Sequence, residues 1–440
     1  MKIVFPHSRA IASMQGVELR QGAIIKHPQP VIVPEHPWEG VLTYVYGSVI
    51  KTTIYRMWYQ AHGIYVAYAR SRDGIRWQKP LLAKLYATGT AQPPLKSNVV
   101  ADLHMPSLIH DPTDGTRLYK LFGYTDQGYC AAFSKDGIHF KPAAENPVIP
   151  LMKFPAPNGH KTWFSDVAPT FRDTRTKKYV SHVKTYHCDH QGRIRRCVGY
   201  AESKDFLHWS KPITIWVPGK NEDHLARERG FQWADFYGLC AFNYGEGYLG
   251  LLWLLYIDYE IKRGTHEGKM EVYLASSPDG KSWKRLSDAP LIPLSPSGWD
   301  TGLITTAGMP VFARDGITLY YGGANFTHGA GEEGNPYDEK LHRFAIGRAT
   351  LRKDGFVYAE SRRGRLTTKP LTSRKGQLKL NADATRGKLV IDVIHKGKKA
   401  TSFEISGADS LSRIFRTSLK GRIALQISIE NARLYSIEVL

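Results

Sequence analysis

A seven-residue phrase stands at four places in this chain and limits what the chain can fold into. It reads Ser71-Arg72-Asp73-Gly74-Ile75-Arg76-Trp77, Ser134-Lys135-Asp136-Gly137-Ile138-His139-Phe140, Ser203-Lys204-Asp205-Phe206-Leu207-His208-Trp209 and Ser277-Pro278-Asp279-Gly280-Lys281-Ser282-Trp283. A worn copy follows at Arg352-Lys353-Asp354-Gly355-Phe356. Asp-Gly between apolar runs is a hairpin signal, because both residues tolerate positive φ. A second marker recurs out of phase with the first. It is an acid ahead of an apolar run, at Glu39, Asp102, Asp166, Asp235 and Asp300, with gaps of 63, 64, 69 and 65 residues. A near-constant period of this length predicts a repeat architecture.

Each unit has the same plan: an acid, a strand, an aromatic-rich strand such as Tyr55-Arg56-Met57-Trp58-Tyr59, a third strand, the Asp-Gly turn and a short fourth strand. Five units of four antiparallel strands predict an all-β fold, a five-bladed β-propeller over residues 37–358. The first strand of each blade would line the axis, and the five acids would converge at one mouth. Residues 1–36 are irregular and Pro-rich and are expected to pack on the propeller or close it with a short strand. After Phe356 the period stops. Residues 359–440 carry period-two runs such as Lys388-Leu389-Val390-Ile391-Asp392-Val393, which predict a C-terminal β-sandwich with one wet and one buried face.

The formal net charge is +20. From Ser361 to Leu440 there are 17 Lys or Arg against 6 Asp or Glu, which points to an anionic partner or to a solvated face. No nucleic-acid recognition module is present, so no specific nucleic acid is expected. Cys130, Cys188, Cys197 and Cys240 lack zinc spacing; free thiols, or a Cys188–Cys197 pair across a hairpin, stay open. The start lacks the apolar core of a signal peptide, which fits a cytoplasmic protein or a secreted one whose signal has been removed. No apolar run is long enough to span a membrane.

Several carboxylates converging in a concave site meet the requirement of glycoside hydrolysis, in which one acid protonates the leaving oxygen and a second activates water or attacks the sugar. Trp38, Trp163, Trp233 and Trp299 each lie within three residues of an axial acid, where their faces would stack on sugar rings. His104 lies in a mouth loop and joins the substrate-binding set; His160, His328 and His342 lie in or near mouth loops too. The competing reading is that each acid caps a turn.

The phrase Ser-x-Asp-Gly-x-x-Trp, the Trp38-Glu39 opening and the segment from Arg348 to Phe356 give the chain its resemblance to the five-bladed propeller glycoside hydrolases of the invertase, levansucrase and arabinanase type (glycoside hydrolase families 32, 68 and 43), above all to a group of their bacterial relatives. The resemblance implies Glu39 as base or nucleophile, Asp102 as the acid that tunes and orients, and Asp166 as proton donor, with Asp235 and Asp300 holding substrate. The chain departs from that pattern where Trp38-Glu39-Gly40 replaces Asn-Asp-Pro, and where Asp166 stands in for a glutamate. The expected substrate is a carbohydrate, a furanoside or an acidic polysaccharide. A sugar phosphorylase or transglycosylase, with Arg227 and Arg229 holding phosphate, and a non-catalytic glycan-binding protein are the alternatives. No cofactor is required for this chemistry; a structural calcium ion on the axis, as in related propellers, is left open.

Overall fold

The structure, a computed structural model, describes residues 1–82, 85–86, 95–151, 164–262, 264–332, 337–338 and 340–440. Trp163, His160 and the Pro-rich linkers at 91–94 and 155–159 lie outside the described residues. The fold is almost all β. Among the described residues the helical elements are Lys220–Glu228 and a single 3-10 turn, Pro37–Glu39.

The repeated phrase is a side-chain-capped turn. In its first copy Ser71 Oγ accepts the Gly74 N–H at 2.9 Å, while Asp73 Oδ1 accepts the N–H groups of Ile75 and Arg76 at 2.9 and 2.8 Å. The same three bonds recur around Asp136, Asp205 and Asp279. The turn needs a left-handed residue, and Gly74, Gly137 and Gly280 supply it at φ 75°, 80° and 81°. The third copy forces Phe206 to φ 72°.

These turns also join the units. Trp58 of the first unit donates its indole N–H to Gly137 O of the second at 2.6 Å. Phe122 of the second meets Phe206 of the third edge-on at 5.8 Å. Lys281 of the fourth stands 4.6 Å over the Tyr200 ring of the third. Phe242 and Tyr244 of the fourth pack on Phe356 at 5.4 and 5.5 Å. Tyr320 of the fifth donates its hydroxyl to Gly74 O of the first at 2.8 Å, so the contacts run in a closed cycle. A Cβ on Gly74 would fall 2.4 Å from that hydroxyl, so the close approach also excludes a side chain there.

The first sheet orders Thr43–Lys51, Tyr55–Ala61, Tyr65–Ser71 and Val99–Asp102; the second runs from His104–His110 through Tyr119–Thr125 to Gly128–Ser134. The third holds Thr170–Arg172, Tyr179–Ser181, Ile194–Ser203, Lys184–Cys188 and Phe164–Ser165. Inner strands touch one another: Ser48 Oγ donates to Leu108 O at 2.6 Å, Ser107 Oγ accepts the Thr170 N–H at 2.9 Å, and the Gly308 N–H donates to Gly47 O at 2.9 Å. The fourth and fifth units are not separate sheets. One parallel pair, Met270 with Leu303, joins them into nine strands. Asp102 does not open an inner strand either; it ends the outermost strand of the first sheet, opposite Tyr65. Asp235 lies inside its strand, Trp233–Tyr244, not ahead of it.

Beyond residue 356 two six-stranded sheets share one apolar cluster. Period-two patterning explains it: Leu389, Ile391 and Val393 on one strand and Ile423, Leu425, Ile427 and Ile429 on its neighbour are buried, with more exposed residues between them. The N-terminal segment is woven into these sheets. Lys2–Val4 pairs with Ala432–Val439, Ile11–Gln15 with Gly364–Thr368, and Glu18–Gln21 with Val357–Ser361. Ile25–Lys26 then pairs with Phe344–Arg352 of the fifth unit. All four cysteines are free thiols. No described helix is long and apolar enough to cross a membrane.

Candidate functional site

Near the start of the inner strands, side chains from all five units meet. Asp166 precedes Thr170–Arg172, and Lys184 opens the strand Lys184–Cys188, its N–H bound to Val167 O at 2.8 Å. That backbone bond sets the two side chains face to face, and Lys184 Nζ reaches Asp166 Oδ1 at 2.6 Å. Lys184 Nζ also stands 4.1 Å over the ring of Tyr237, from the fourth unit, with the Arg196 guanidinium 5.8 Å from the same ring. His328 of the fifth unit meets Tyr237 edge-on at 5.3 Å. Tyr44 and Tyr46 of the first inner strand lie edge to face at 5.0 Å, and the Asp166 charge acts on both. His104 opens the second inner strand and adds positive potential at Asp166.

Burial pushes the Asp166 carboxyl up, but the charges of Lys184 and His104, the Lys184 hydrogen bond and the Val167 N–H together outweigh it and hold the group at about 2. Burial pushes Lys184 down, yet Asp166 more than restores it above the ordinary lysine value. Tyr237 is raised, chiefly by burial. His328 and His266 are lowered to about 3, first by burial and then by Arg196, so both stay neutral. Arg196 is fixed in turn by Asp235 and by His266 Nδ1, the latter at 2.6 Å.

Two residues beside this cluster hold left-handed backbone: Asp166 at φ 32° and Met105 at φ 52°. Strain of this kind costs about 1–3 kcal/mol per residue and gathers where geometry serves function. Gln60 Oε1 helps keep Met105 there by accepting its N–H at 2.6 Å.

The five acids of the repeat do not share one network. Glu39 is fully buried in the 3-10 turn. It accepts the Tyr59 hydroxyl at 2.6 Å, Lys79 Nζ at 2.9 Å and the N–H groups of Glu35 and His36 at 2.8 and 3.0 Å. It anchors a turn and presents no free oxygen to a substrate. Asp102 is exposed beside a crevice of about 200 Å3 between the first and second sheets. Asp235 is buried against Arg195 at 2.8 Å. Asp300 is held by Lys26 at 2.7 Å and by the Tyr321 hydroxyl at 3.2 Å. Trp38 is buried, stacked on His36 at 4.5 Å and donating to Asn98 at 2.8 Å. Trp233 is buried beneath Arg193 at 4.9 Å. Trp299 stacks on Tyr321 at 5.6 Å beside a pocket of about 410 Å3. Among the described members of the expected set, Asp166 and His104 belong to the five-unit cluster, and Asp235 holds Arg196 beside it.

Lys184, Arg196, Tyr237 and Tyr44 were not anticipated. Lys184 directly follows Val183 and Arg196 directly precedes Cys197-Val198; charges set against apolar neighbours are the signal that marks them. Glu267 was also passed over. Among the described residues it alone has a buried carboxylate oxygen with no hydrogen-bond partner. That oxygen lies against Gly329, where a Cβ would fall 2.0 Å away, on the loop that carries His328.

No group of three or more His, Cys, Asp and Glu able to hold a metal ion occurs among the described residues. The charged groups acting on Asp166 are themselves cationic, which disfavours a divalent ion there.

No family model matches the chain, and no curated protein matches it. Solved glycoside hydrolases are among the structures it resembles. The exo-inulinase of Aspergillus awamori is 12% identical, over 94% of this chain and 99% of that one, at a TM-score of 0.45. The α-L-arabinofuranosidase of Podospora anserina is 13% identical over 76% and 98%, at 0.46. An N-acetylgalactosamine deacetylase from F. plautii is 14% identical over 80% and 94%, at 0.43. With every one of these scores below one half, the functional reading rests on this chain's own residues.

Proposed function

We propose that the chain is a glycoside hydrolase whose five units are the blades of a five-bladed β-propeller, with the two sheets after residue 356 forming a β-sandwich. The cyclic turn contacts support the blade reading. The observation that carries the function is the meeting of polar side chains from all five units at Asp166 and Lys184, on a wall of tyrosines. Glycosidic cleavage needs a charged carboxylate and a proton donor. Asp166, held ionised, takes the first role, as base or nucleophile, and not the proton donor's. Glu267, with an uncommitted oxygen, takes the second. Tyr44, Tyr46 and Tyr237, each buried, form the aromatic wall behind this pair. The substrate is a furanoside or an acidic polysaccharide; Lys184 and Arg196, already paired with Asp166 and Asp235, favour neither.

A phosphorylase is less well supported. Arg229 is already committed to Glu271 at 2.9 Å and to Asp288 O at 3.2 Å.

The test is turnover of aryl furanosides, aryl pyranosides and acidic polysaccharides by the purified protein beside Asp166→Asn and Glu267→Gln. Each variant is expected to lose about a hundred-fold or more in rate at a temperature where it stays folded, Asp166→Asn with a lowered melting temperature because it leaves Lys184 without its counter-charge. Undiminished activity in Asp166→Asn overturns the assignment. Turnover that requires phosphate favours the phosphorylase, and glycan binding without product favours a lectin.

A further inference from the structure

The chain passes between the two C-terminal sheets at eight places, and four of these corners lie together. Residues 16–17 link Ile11–Gln15 to Glu18–Gln21, residues 362–363 link Val357–Ser361 to Gly364–Thr368, residues 384–387 link Gln377–Asp383 to Lys388–His395, and Asn431 links Gly421–Glu430 to Ala432–Val439. Together they line a groove of about 950 Å3. Arg20, Arg362, Arg363, Arg386 and Arg433 stand in its walls. Arg20 and Arg433 are engaged by Glu360, at 3.2 and 3.5 Å. Arg362, Arg363 and Arg386 are exposed and make no ion pair among the described residues.

We propose that this groove is a second carbohydrate site, distinct from the propeller site, that binds an anionic polysaccharide. A guanidinium matches a carboxylate or sulfate through paired N–H donors, and three uncommitted ones in one groove suit a chain with repeated acidic groups. The volume is near the upper end of small-molecule sites and takes several sugar rings. Two features favour a glycan over a nucleic acid. No aromatic side chain lines the groove to stack on bases. Three carboxylates, Glu18, Glu360 and Asp383, share its walls. They accept hydrogen bonds from sugar hydroxyls, which a DNA backbone lacks.

The experiment compares binding of the full chain to polygalacturonate, heparin, neutral dextran and a DNA duplex at 0.15 M salt. Polygalacturonate separates carboxylate recognition from the sulfate recognition that heparin reports. Arg362→Glu/Arg363→Glu is set beside Lys396→Glu/Lys398→Glu, which makes the same charge change at an exposed hairpin tip. The expected result is binding to at least one of the two acidic glycans, a loss of about ten-fold or more in the arginine variant, and near-unchanged affinity in the lysine variant. Equal losses in both variants, no loss in the arginine variant, or DNA bound as tightly as either glycan would overturn the proposal. A thermal melt of each variant separates lost binding from lost folding, and Arg386→Glu, on a different corner, repeats the test independently.

Discussion

Asp166 and Lys184 show how one contact sets the chemistry of a residue. A lone aspartate in this place would be pushed toward its neutral form; the lysine 2.6 Å away keeps it charged. Its depressed value means that the stability it contributes is present above the ordinary carboxylate range and is lost as pH falls from about 4 toward about 2. Lys184→Met leaves that carboxyl without its counter-charge. It is expected to destabilise the fold by up to about 3 kcal/mol in a urea melt. It should also move the acid limb of the pH–rate profile to higher pH. Glu39 predicts the opposite division of effects. It is fully buried with Lys79 at 2.9 Å, so Glu39→Gln should cost about 3–5 kcal/mol of stability. At a temperature where the variant stays folded, its rate should remain near that of the parent. A rate loss there with an unchanged melting curve would return Glu39 to the catalytic role that the family resemblance implies.

At the scale of the element, the capped turn was legible because its chemistry is local. Ser, Asp and Gly bond within five residues of one another, so the pattern in the chain is the pattern in space. Phe206 shows where local and non-local demands compete. Its left-handed backbone costs about 1–3 kcal/mol, yet its ring is fully buried among Phe122, Tyr179 and Trp209. Losing a ring in such a place costs about 3–5 kcal/mol. Packing wins, and Phe206→Gly is expected to lower stability by roughly 2 kcal/mol despite relieving the backbone, as read in a denaturant titration. The N-terminal strands were not legible as partners of the C-terminal sheets, because a strand's alternation names its buried face and not its neighbour. Ile3, Val4 and Phe5 are nonetheless buried. Deleting residues 2–21 should expose the edges of Ala432–Val439 and Val357–Ser361. The outcome expected is aggregation on heating, seen by light scattering, well below the transition of the full chain.

At the scale of the molecule, three buried imidazoles make the fold sensitive to acid. His182 is lowered to about 4, by burial, and His266 and His328 to about 3, by burial and then Arg196. An unfolded chain takes up these protons from about pH 6.5 downward, whereas the folded one refuses them until near pH 4 or below. Stability is therefore expected to fall as pH drops from 6.5 toward 4, with most of the loss above the range in which Asp166 titrates. Melting temperatures at half-unit pH steps check this; a flat profile between pH 6.5 and 4.5 would contradict it.

The period, the Asp-Gly turn, the all-β character and the change of pattern after residue 356 can be read along the chain, because they follow from residues close in it or from strict alternation. The position of an acid in the repeat was equally plain, but its direction was not. Glu39, Asp235 and Asp300 each turn to a lysine or arginine that only folding brings near, over separations of 40, 39–40 and 274 residues. Folding sets which charges cancel, and so leaves Asp166 with Lys184 beside a tyrosine wall and one buried oxygen of Glu267 unpartnered among the described residues. Charge pairing acts through distance in space, and a one-dimensional pattern carries no such distance.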